Sequence, residues 1–252
     1  MATLFISDLH LDANAGVEML RQCLAEFEDD DISDLYILGD LFEAWIGDDD
    51  DHPLGEQVAA LLVKYADAGW TIHFLPGNRD FLVGNNYLAR FGGQLLADPS
   101  VITLAGRRGV LIHGDRECVA DVTYQAVRTQ LRDPVWQQDF LSKSLEQRRL
   151  FAQQARAQSL EHTSQTTSAI MDADADEITQ LIEQHDASVL IHGHTHRPAI
   201  LAVSNQDHPA LRLVLGAWHR GPSWLRVDEQ GFRLLADGST LQADWPPARV
   251  QS

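Results

Sequence analysis

Leu4-Phe5-Ile6-Ser7-Asp8-Leu9-His10 is a short apolar run that breaks off into groups able to carry chemistry. The layout recurs down the chain. Leu35-Tyr36-Ile37-Leu38 leads into Gly39-Asp40, and Ile72-His73-Phe74-Leu75 into Pro76-Gly77-Asn78-Arg79-Asp80. Val110-Leu111-Ile112 precedes His113-Gly114-Asp115, and Val189-Leu190-Ile191 precedes His192-Gly193-His194-Thr195-His196. Unbroken apolar runs of this length fit strands covered on both faces. Helix-like stretches around residues 16–28 and 54–68 separate the early runs. That alternation predicts a parallel sheet, in which ligands gather at the carboxyl ends of the strands. Every polar cluster quoted above lies at such an end. After residue 196 come strand-like pieces at 199–203, 211–216, 223–227 and 232–235, which predict a second, more antiparallel sheet.

Residues 125–171 break the pattern. They hold one proline and no glycine, and read as helices inserted between two strands. Six cations (Arg128, Arg132, Lys143, Arg148, Arg149, Arg156) face four anions (Asp133, Asp139, Glu146, Glu161), so the segment is +2 and the rest of the chain −20. The acidic runs Asp29–Asp31 and Asp48–Asp51 read as solvated loops. The expected organisation is one domain over 1–240, a helical cap insertion at about 122–171 and a tail at 241–252.

Bulk properties exclude several classes. With 44% hydrophobic and 22% charged residues the composition is globular, not disordered. A net charge of −18 makes nucleic acid an unexpected partner, because phosphate neutralisation needs clustered cations. No apolar run approaches the ~18–20 residues that cross a bilayer. The first residues lack a basic region and pass straight into a strand-like run, so no secretory signal is expected. Cys23 and Cys118 offer no disulfide or zinc framework. A cytoplasmic chain with free thiols is the expectation.

Seven side chains at the strand ends are candidate metal ligands: Asp8, His10, Asp40, Asn78, His113, His194 and His196. On extended backbone, residues two apart point the same way, which would pair Asp8 with His10 and His194 with His196. Seven mixed oxygen and nitrogen donors exceed one tetrahedral zinc site and suit two divalent ions about 3.5–4 Å apart. The donor set favours Mn²⁺, with Fe²⁺ or Zn²⁺ as alternatives. His192 reads as structural and His73 as a core histidine. His52, His162, His185, His208 and His219 carry no assignment.

Taken together, Asp8-x-His10, Gly39-Asp40, Gly77-Asn78, His113 and Gly193-His194-x-His196 resemble the calcineurin-like metallophosphoesterases over residues 4 to 198. The resemblance implies an α/β fold, a four-layer α/β/β/α sandwich of two mixed sheets, with a dinuclear site at one edge. Members that cleave alkyl or aryl esters often carry His after the metal-binding Asn. Here that residue is Arg79, a poor general acid but a good partner for developing charge. Arg suffices when the leaving group is itself a good anion, such as a phosphate monoester with a second pKa of ~6, so the sequence leans toward an anhydride bond.

Leu41-Phe42-Glu43-Ala44-Trp45-Ile46-Gly47-Asp48, Tyr124-Gln125, Ala169-Ile170-Met171-Asp172 and Leu215-Gly216-Ala217-Trp218-His219 narrow the likeness. With them the chain is similar to the UDP-2,3-diacylglucosamine diphosphatases of lipid A biosynthesis, from residue 1 to about 235. The resemblance implies hydrolysis of UDP-2,3-diacylglucosamine to UMP and 2,3-diacylglucosamine 1-phosphate by a monomer with two Mn²⁺ ions, peripheral on the cytoplasmic side of the inner membrane. Asp8, His10, Asp40 and His196 would hold one ion, and Asp40, Asn78, His113 and His194 the other. Asn78, Arg79 and His194 would be catalytic and touch the phosphates. Asp121, Ser159, Thr163 and Thr166 match substrate-binding positions, although family members usually have Asn and then Lys where this chain has Thr163 and Thr166. Ala120 replaces a common Asp.

A two-tailed lipid needs an apolar chamber, and Val135, Trp136, Phe140, Leu141, Leu145, Leu150 and Phe151 could line one over the metals. Arg148, Arg149 and Arg156 could meet anionic headgroups. Two alternatives stay open: a metallophosphoesterase for a soluble nucleotide such as a dinucleoside polyphosphate, and a metal-stabilised scaffold without activity.

Overall fold

The computed structural model describes residues 1–13, 16–165, 170–205 and 208–246. In chain order the elements are Ala2–Ile6 (β1), Glu18–Ala25 (α1), Ile32–Ile37 (β2), Pro53–Asp67 (α2), Thr71–Phe74 (β3), Asn85–Leu88 (α3), Gln94–Leu95 (β4), Ser100–Leu104 (β5) and Arg107–Leu111 (β6). The inserted helices follow, Val122–Leu131 (α4), Pro134–Leu141 (α5) and Leu145–Gln165 (α6), then Ala175–Gln184 (α7). The chain closes with Val189–His192 (β7), Ala199–Asn205 (β8), His208–Val214 (β9), Trp224–Asp228 (β10), Gly231–Ala236 (β11) and Ser239–Ala243 (β12).

Two mixed sheets form. One runs β12-β11-β10-β1-β2-β3-β4, and the other β5-β6-β7-β9-β8. Strands β1 to β4 are parallel neighbours, as are β6, β7 and β9. The strands after residue 196 do not make a sheet of their own, which corrects the sequence expectation. β8 and β9 extend the second sheet from β7, while β10 pairs antiparallel with β1 and carries β11 and β12 onto the first. Both sheets had an open edge, and pairing satisfies backbone groups wherever an edge is free.

Alternation along each strand builds three cores between four layers. Leu4, Ile6, Leu35 and Ile37 face α1 and α2. Phe5, Tyr36 and Leu38 point the other way, into a core shared with Leu111, Val189, Ile191 and Leu213 of the second sheet. Val110 and Leu190 pack outward on Ile178, Leu181 and Ile182 of α7. These runs are unbroken in hydrophobicity because each strand has a layer on either side.

Several helices carry readable caps. Asp133 accepts from the amides of Val135 and Trp136 with Pro134 in the first turn, and Asp174 accepts from Asp176 and Glu177. The tail boundary at 240 falls inside β12, so sheet structure continues to Ala243. The Trp245 indole then donates to the Asp228 carbonyl at 2.8 Å. Among the described residues no helix is long and apolar enough to cross a membrane.

Candidate metal centre

The ends of five parallel strands converge. Beyond β1 and β2 the two loops run side by side, with the amides of Asp8, His10 and Leu11 donating to the carbonyls of Gly39, Asp40 and Leu41 at 3.0, 2.9 and 2.9 Å. The Gly193 amide donates to the His113 carbonyl at 3.0 Å, tying the second sheet's ends together in the same way. Gly39 and Gly77 let two loops nearly touch. A Cβ on Gly39 would lie 2.5 Å from Gly77 Cα and 2.7 Å from His113 Nδ1.

Five of the seven candidate ligands sit in left-handed backbone: Asp8, His10, Asp40, His194 and His196, at φ between 50° and 62°. This corrects the expectation of extended backbone at the two Asp/His-x-His pairs. Non-glycine residues adopt this region at a cost of order 1–3 kcal/mol each, and such residues cluster where geometry serves function.

Seven side chains meet there. Asp8, His10 and His196 bring donor atoms within 4.8 Å of one another, and so do Asp8, Asp40 and His113. Asn78 Oδ1 lies 2.9 Å from His113 Nε2 and 2.8 Å from His194 Nδ1. His10 Nε2 is 3.2 Å from His196 Nε2 and 3.8 Å from Asp40 Oδ2. Asp8 Oδ1 is 3.3 Å from His196 Nε2. Both Asp8 and Asp40 are essentially buried. Buried carboxylates, imidazoles and an amide oxygen this close to one another fit a pair of divalent cations.

Electrostatics agree with that reading. Burial drives the Asp8 carboxyl upward, but the hydrogen bond and charge of His196, then His113 and His10, hold it well below the ordinary range. Burial depresses His113, yet Asp40, Asp115 and Asp8 outweigh it and raise its pKa to about 9. His194 falls to about 4, through burial and then the neighbouring His113. His10 is raised: burial opposes, while Glu43, Asp40 and Asp8 prevail.

Three acids missed by the sequence reading brace the centre. Asp80, fully buried, accepts from the amides of Asp40, Leu41, Phe42 and Gly77 at 3.1, 2.7, 3.3 and 2.9 Å. Asp115 accepts from the Tyr124 hydroxyl at 2.6 Å and Arg128 Nε at 2.8 Å, pinning α4 to the site, while the Tyr124 ring stacks over His194. Glu43 Oε2 is 3.2 Å from His10 Nδ1, and its other oxygen pairs with Arg156. Asp80 and Asp115 stood inside quoted motifs, but nothing in the residue order says that they point inward. Glu43 stood in a quoted motif too, with no role assigned to it.

The cap reaches this centre. Arg79 donates its amide to Asp40 Oδ1 at 2.8 Å and its Nη2 to Ser159 Oγ at 3.1 Å, and its Nε is buried with no hydrogen-bond partner among the described residues. Asp121 caps α4, accepting from the Tyr124 amide at 3.0 Å. Thr166 and the Thr163 side chain lie outside the described residues. Trp136, Phe140, Leu150 and Phe151 line a groove of about 280 Å³ in the cap, so part of the expected apolar set shares one surface.

Asp48–Asp51 is a loop, with Asp49 and Asp51 largely exposed as expected, but it is also paired: Asp48 accepts from Trp45 Nε1, Gly84 N and Tyr87 N, and Asp49, Asp50 and Asp51 pair with Arg148 and Arg149. Arg148 is buried in its pair with Asp49 and turned away from any headgroup, whereas Arg149 and Arg156 pair with Asp50, Asp51 and Glu43 while staying partly exposed. His73 and His192 are structural. His73 Nε2 bonds Asp34 Oδ1 at 2.9 Å, and His192 Nε2 accepts from Arg212 at 2.9 Å while burial, then Arg212, lowers its pKa to about 3.

Comparison with known proteins agrees with this geometry. The pattern of the calcineurin-like phosphoesterases matches residues 1–198. A UDP-2,3-diacylglucosamine hydrolase of Cellvibrio japonicus is 47% identical over 240 residues, covering 93% of this chain and 98% of that protein. Proteins of the same name from Marinobacter nauticus and Escherichia coli O157:H7 are 44% and 43% identical, covering 91% and 93% of this chain and 94% and 98% of theirs. Among solved structures, a dimetal phosphatase from Danio rerio aligns with a TM-score of 0.52 at 12% identity, over 97% of this chain and 99% of that one. Vps29 from Entamoeba histolytica complexed with zinc gives 0.51 at 16%, over 98% and 99%. Those two likenesses show the fold alone. The chain is thus a hydrolytic enzyme that belongs to the calcineurin-like phosphoesterases and, among them, to the family of the UDP-2,3-diacylglucosamine hydrolases.

Proposed function

We propose that this enzyme hydrolyses the pyrophosphate bond of UDP-2,3-diacylglucosamine to UMP and 2,3-diacylglucosamine 1-phosphate, with two Mn²⁺ ions, by attack of water at the uridine-side phosphorus. The observation that carries the reading is the Arg79–Ser159 contact, which joins a seven-ligand centre to a cap with an apolar groove. Asp8, His10, Asp40 and His196 would hold one ion, and Asp40, Asn78, His113 and His194 the other. When bound, such ions supply Lewis acidity toward phosphoryl oxygens and lower the pKa of a water.

The chain's own groups do the rest. Arg79 has a buried Nε still to be bonded, and it orients the diphosphate and neutralises the departing phosphate. Guanidinium does not give up a proton, so the sugar phosphate leaves as an anion. Asn78, His194 and Arg79 are the catalytic contacts. Asp121, Ser159, Thr163 and Thr166 bind the glucosamine side.

The enzyme works on the cytoplasmic face of the inner membrane as a peripheral protein. Exposed Val135, Leu150, Phe151 and Leu160 on the cap support this, beside the partly exposed Arg149 and Arg156. Purified enzyme is tested with UDP-2,3-diacylglucosamine and its deacylated counterpart in Mn²⁺ and after chelation. UMP release confined to the acylated substrate with metal supports the reading. Equal rates on both favour a soluble nucleotide substrate, and no UMP from either overturns it.

A further inference from the structure

Arg148 is only 2% exposed although it lies on a cap helix. Its Nη1 donates to the Ile46 carbonyl and to Asp49 Oδ1, both at 2.7 Å, and Nη2 donates to Asp49 Oδ2 at 2.5 Å. Nε donates to the Lys143 carbonyl at 3.2 Å. Four of the five N–H groups of a guanidinium are thereby used, two of them in a forked bond to one carboxylate. Arg149 adds pairs to Asp50 and Asp51.

The receiving loop is shaped for this contact. Gly47 stands at φ 134°, and a Cβ there would run into Arg148 Nη1, with Asp49 Oδ1 at 2.8 Å and Leu141 Cδ2 at 2.9 Å. Next to it, Asp48 bolts the loop to the body of the protein through Trp45, Gly84 and Tyr87. One acid grips the body and the next grips the cap.

Helix geometry carries the consequence to the metal centre. Ser159 follows Arg148 by 11 residues on the same helix. At 100° and 1.5 Å per residue it returns to within about 20° of the same face, roughly 16 Å further along. A helix held at Arg148 can neither roll nor slide without moving Ser159 off Arg79.

We propose that Arg148 is a positioning residue for the reaction: clasped by Asp49 and the Ile46 carbonyl, it sets the roll and axial place of α6 so that Ser159 holds the Arg79 guanidinium over the metal centre. This deepens the proposed function and rests on it for the substrate used in the test.

The test is a double-mutant cycle. R148K and D49N keep a charge or a shape while losing the fork, and misplacement of a positioned group by about 1 Å can cost up to about 100-fold. Each variant is expected to lower kcat/KM for UMP release at least about tenfold, with Mn²⁺ binding by electron paramagnetic resonance unchanged. In an S159A background, R148K is expected to cost less than about threefold, since its effect passes through a contact already removed. Effects that multiply, or Mn²⁺ binding lost in step with turnover, would overturn the proposal.

Hydrogen exchange tests the clasp without substrate. R148K should speed exchange of the α6 amides near Ser159 while leaving those of β1 and β2 protected, and unchanged α6 exchange sinks the idea. If the wild type releases no UMP, the substrate assignment falls, and the exchange result still decides the clasp.

Discussion

His113 Nδ1 lies 2.8 Å from the carbonyl of Leu38, an atom that can only accept, so Nδ1 carries the proton and Nε2 is turned toward Asn78 and Asp40. Backbone thus selects the tautomer that a metal ligand needs. Without a metal, Asp40, Asp115 and Asp8 overcome the effect of burial and keep a proton on Nε2 up to about pH 9.

Metal binding should therefore release protons. A cation displaces the Nε2 proton of His113, so apparent Mn²⁺ affinity should climb from pH 7 and level off near pH 9. Calorimetric titration in two buffers of different ionisation enthalpy measures the protons released. Identical heats in the two would contradict this account.

Asp80→Ala should cost both stability and metal. Four buried amides, those of Asp40, Leu41, Phe42 and Gly77, would lose their acceptor. Leaving a buried donor unmade costs about 1–3 kcal/mol, so the sum is several kcal/mol even with relaxation. Thermal unfolding and Mn²⁺ titration should both register the loss, because Asp40 and Asn78 ride on the loops that Asp80 joins.

Gly39→Ala should abolish the centre while conserving hydrophobicity and charge. The added methyl meets Gly77 Cα and N at 2.5 Å, and φ there is 85°. Backbone cannot give way as a flexible side chain can, so the loops bearing Asp40 and Asn78 must part. The expected result is loss of Mn²⁺ binding and of turnover, read by paramagnetic resonance and UMP release. Gly92→Ala is the control: φ is also positive, but its Cβ would have nothing within 4 Å.

Glu117 should make stability fall with pH. It is buried, its Oε2 has no hydrogen-bond partner among the described residues, and burial followed by the Asp98 charge raises its pKa from 4.5 to about 7. A carboxyl raised on folding contributes fully below its unfolded pKa and loses that contribution as pH rises through the folded value. The window is therefore about pH 4.5 to 7. Glu117→Gln should be more stable than the parent at pH 8, by on the order of 2 kcal/mol, and equal to it at pH 4. Denaturant unfolding at the two pH values checks both arms.

The arginines of α6 show what residue order could not foretell. Their number and helical setting were plain, and so was the acid-rich loop at 48–51. Which would meet which was not, because pairing across about 100 positions depends on where α6 lies after folding. The same holds for Asp80 and Asp115. Their positions in the motifs were visible, but only the fold turns one carboxylate onto four amides and the other onto Tyr124 and Arg128.

Strand identity, the candidate ligands and the existence of an inserted helical stretch are local features, written in apolar runs, in Asp, Asn and His at their ends, and in a glycine-free stretch. A strand's period and a ligand's chemistry reside in a few adjacent residues, so sequence alone determined them. Tertiary structure decided which sheet β8 to β12 would join, that five of the candidate ligands turn left-handed, and that Arg148 of the cap closes on the body. Each of those depends on free edges, close approaches and charge partners that exist only once distant segments meet.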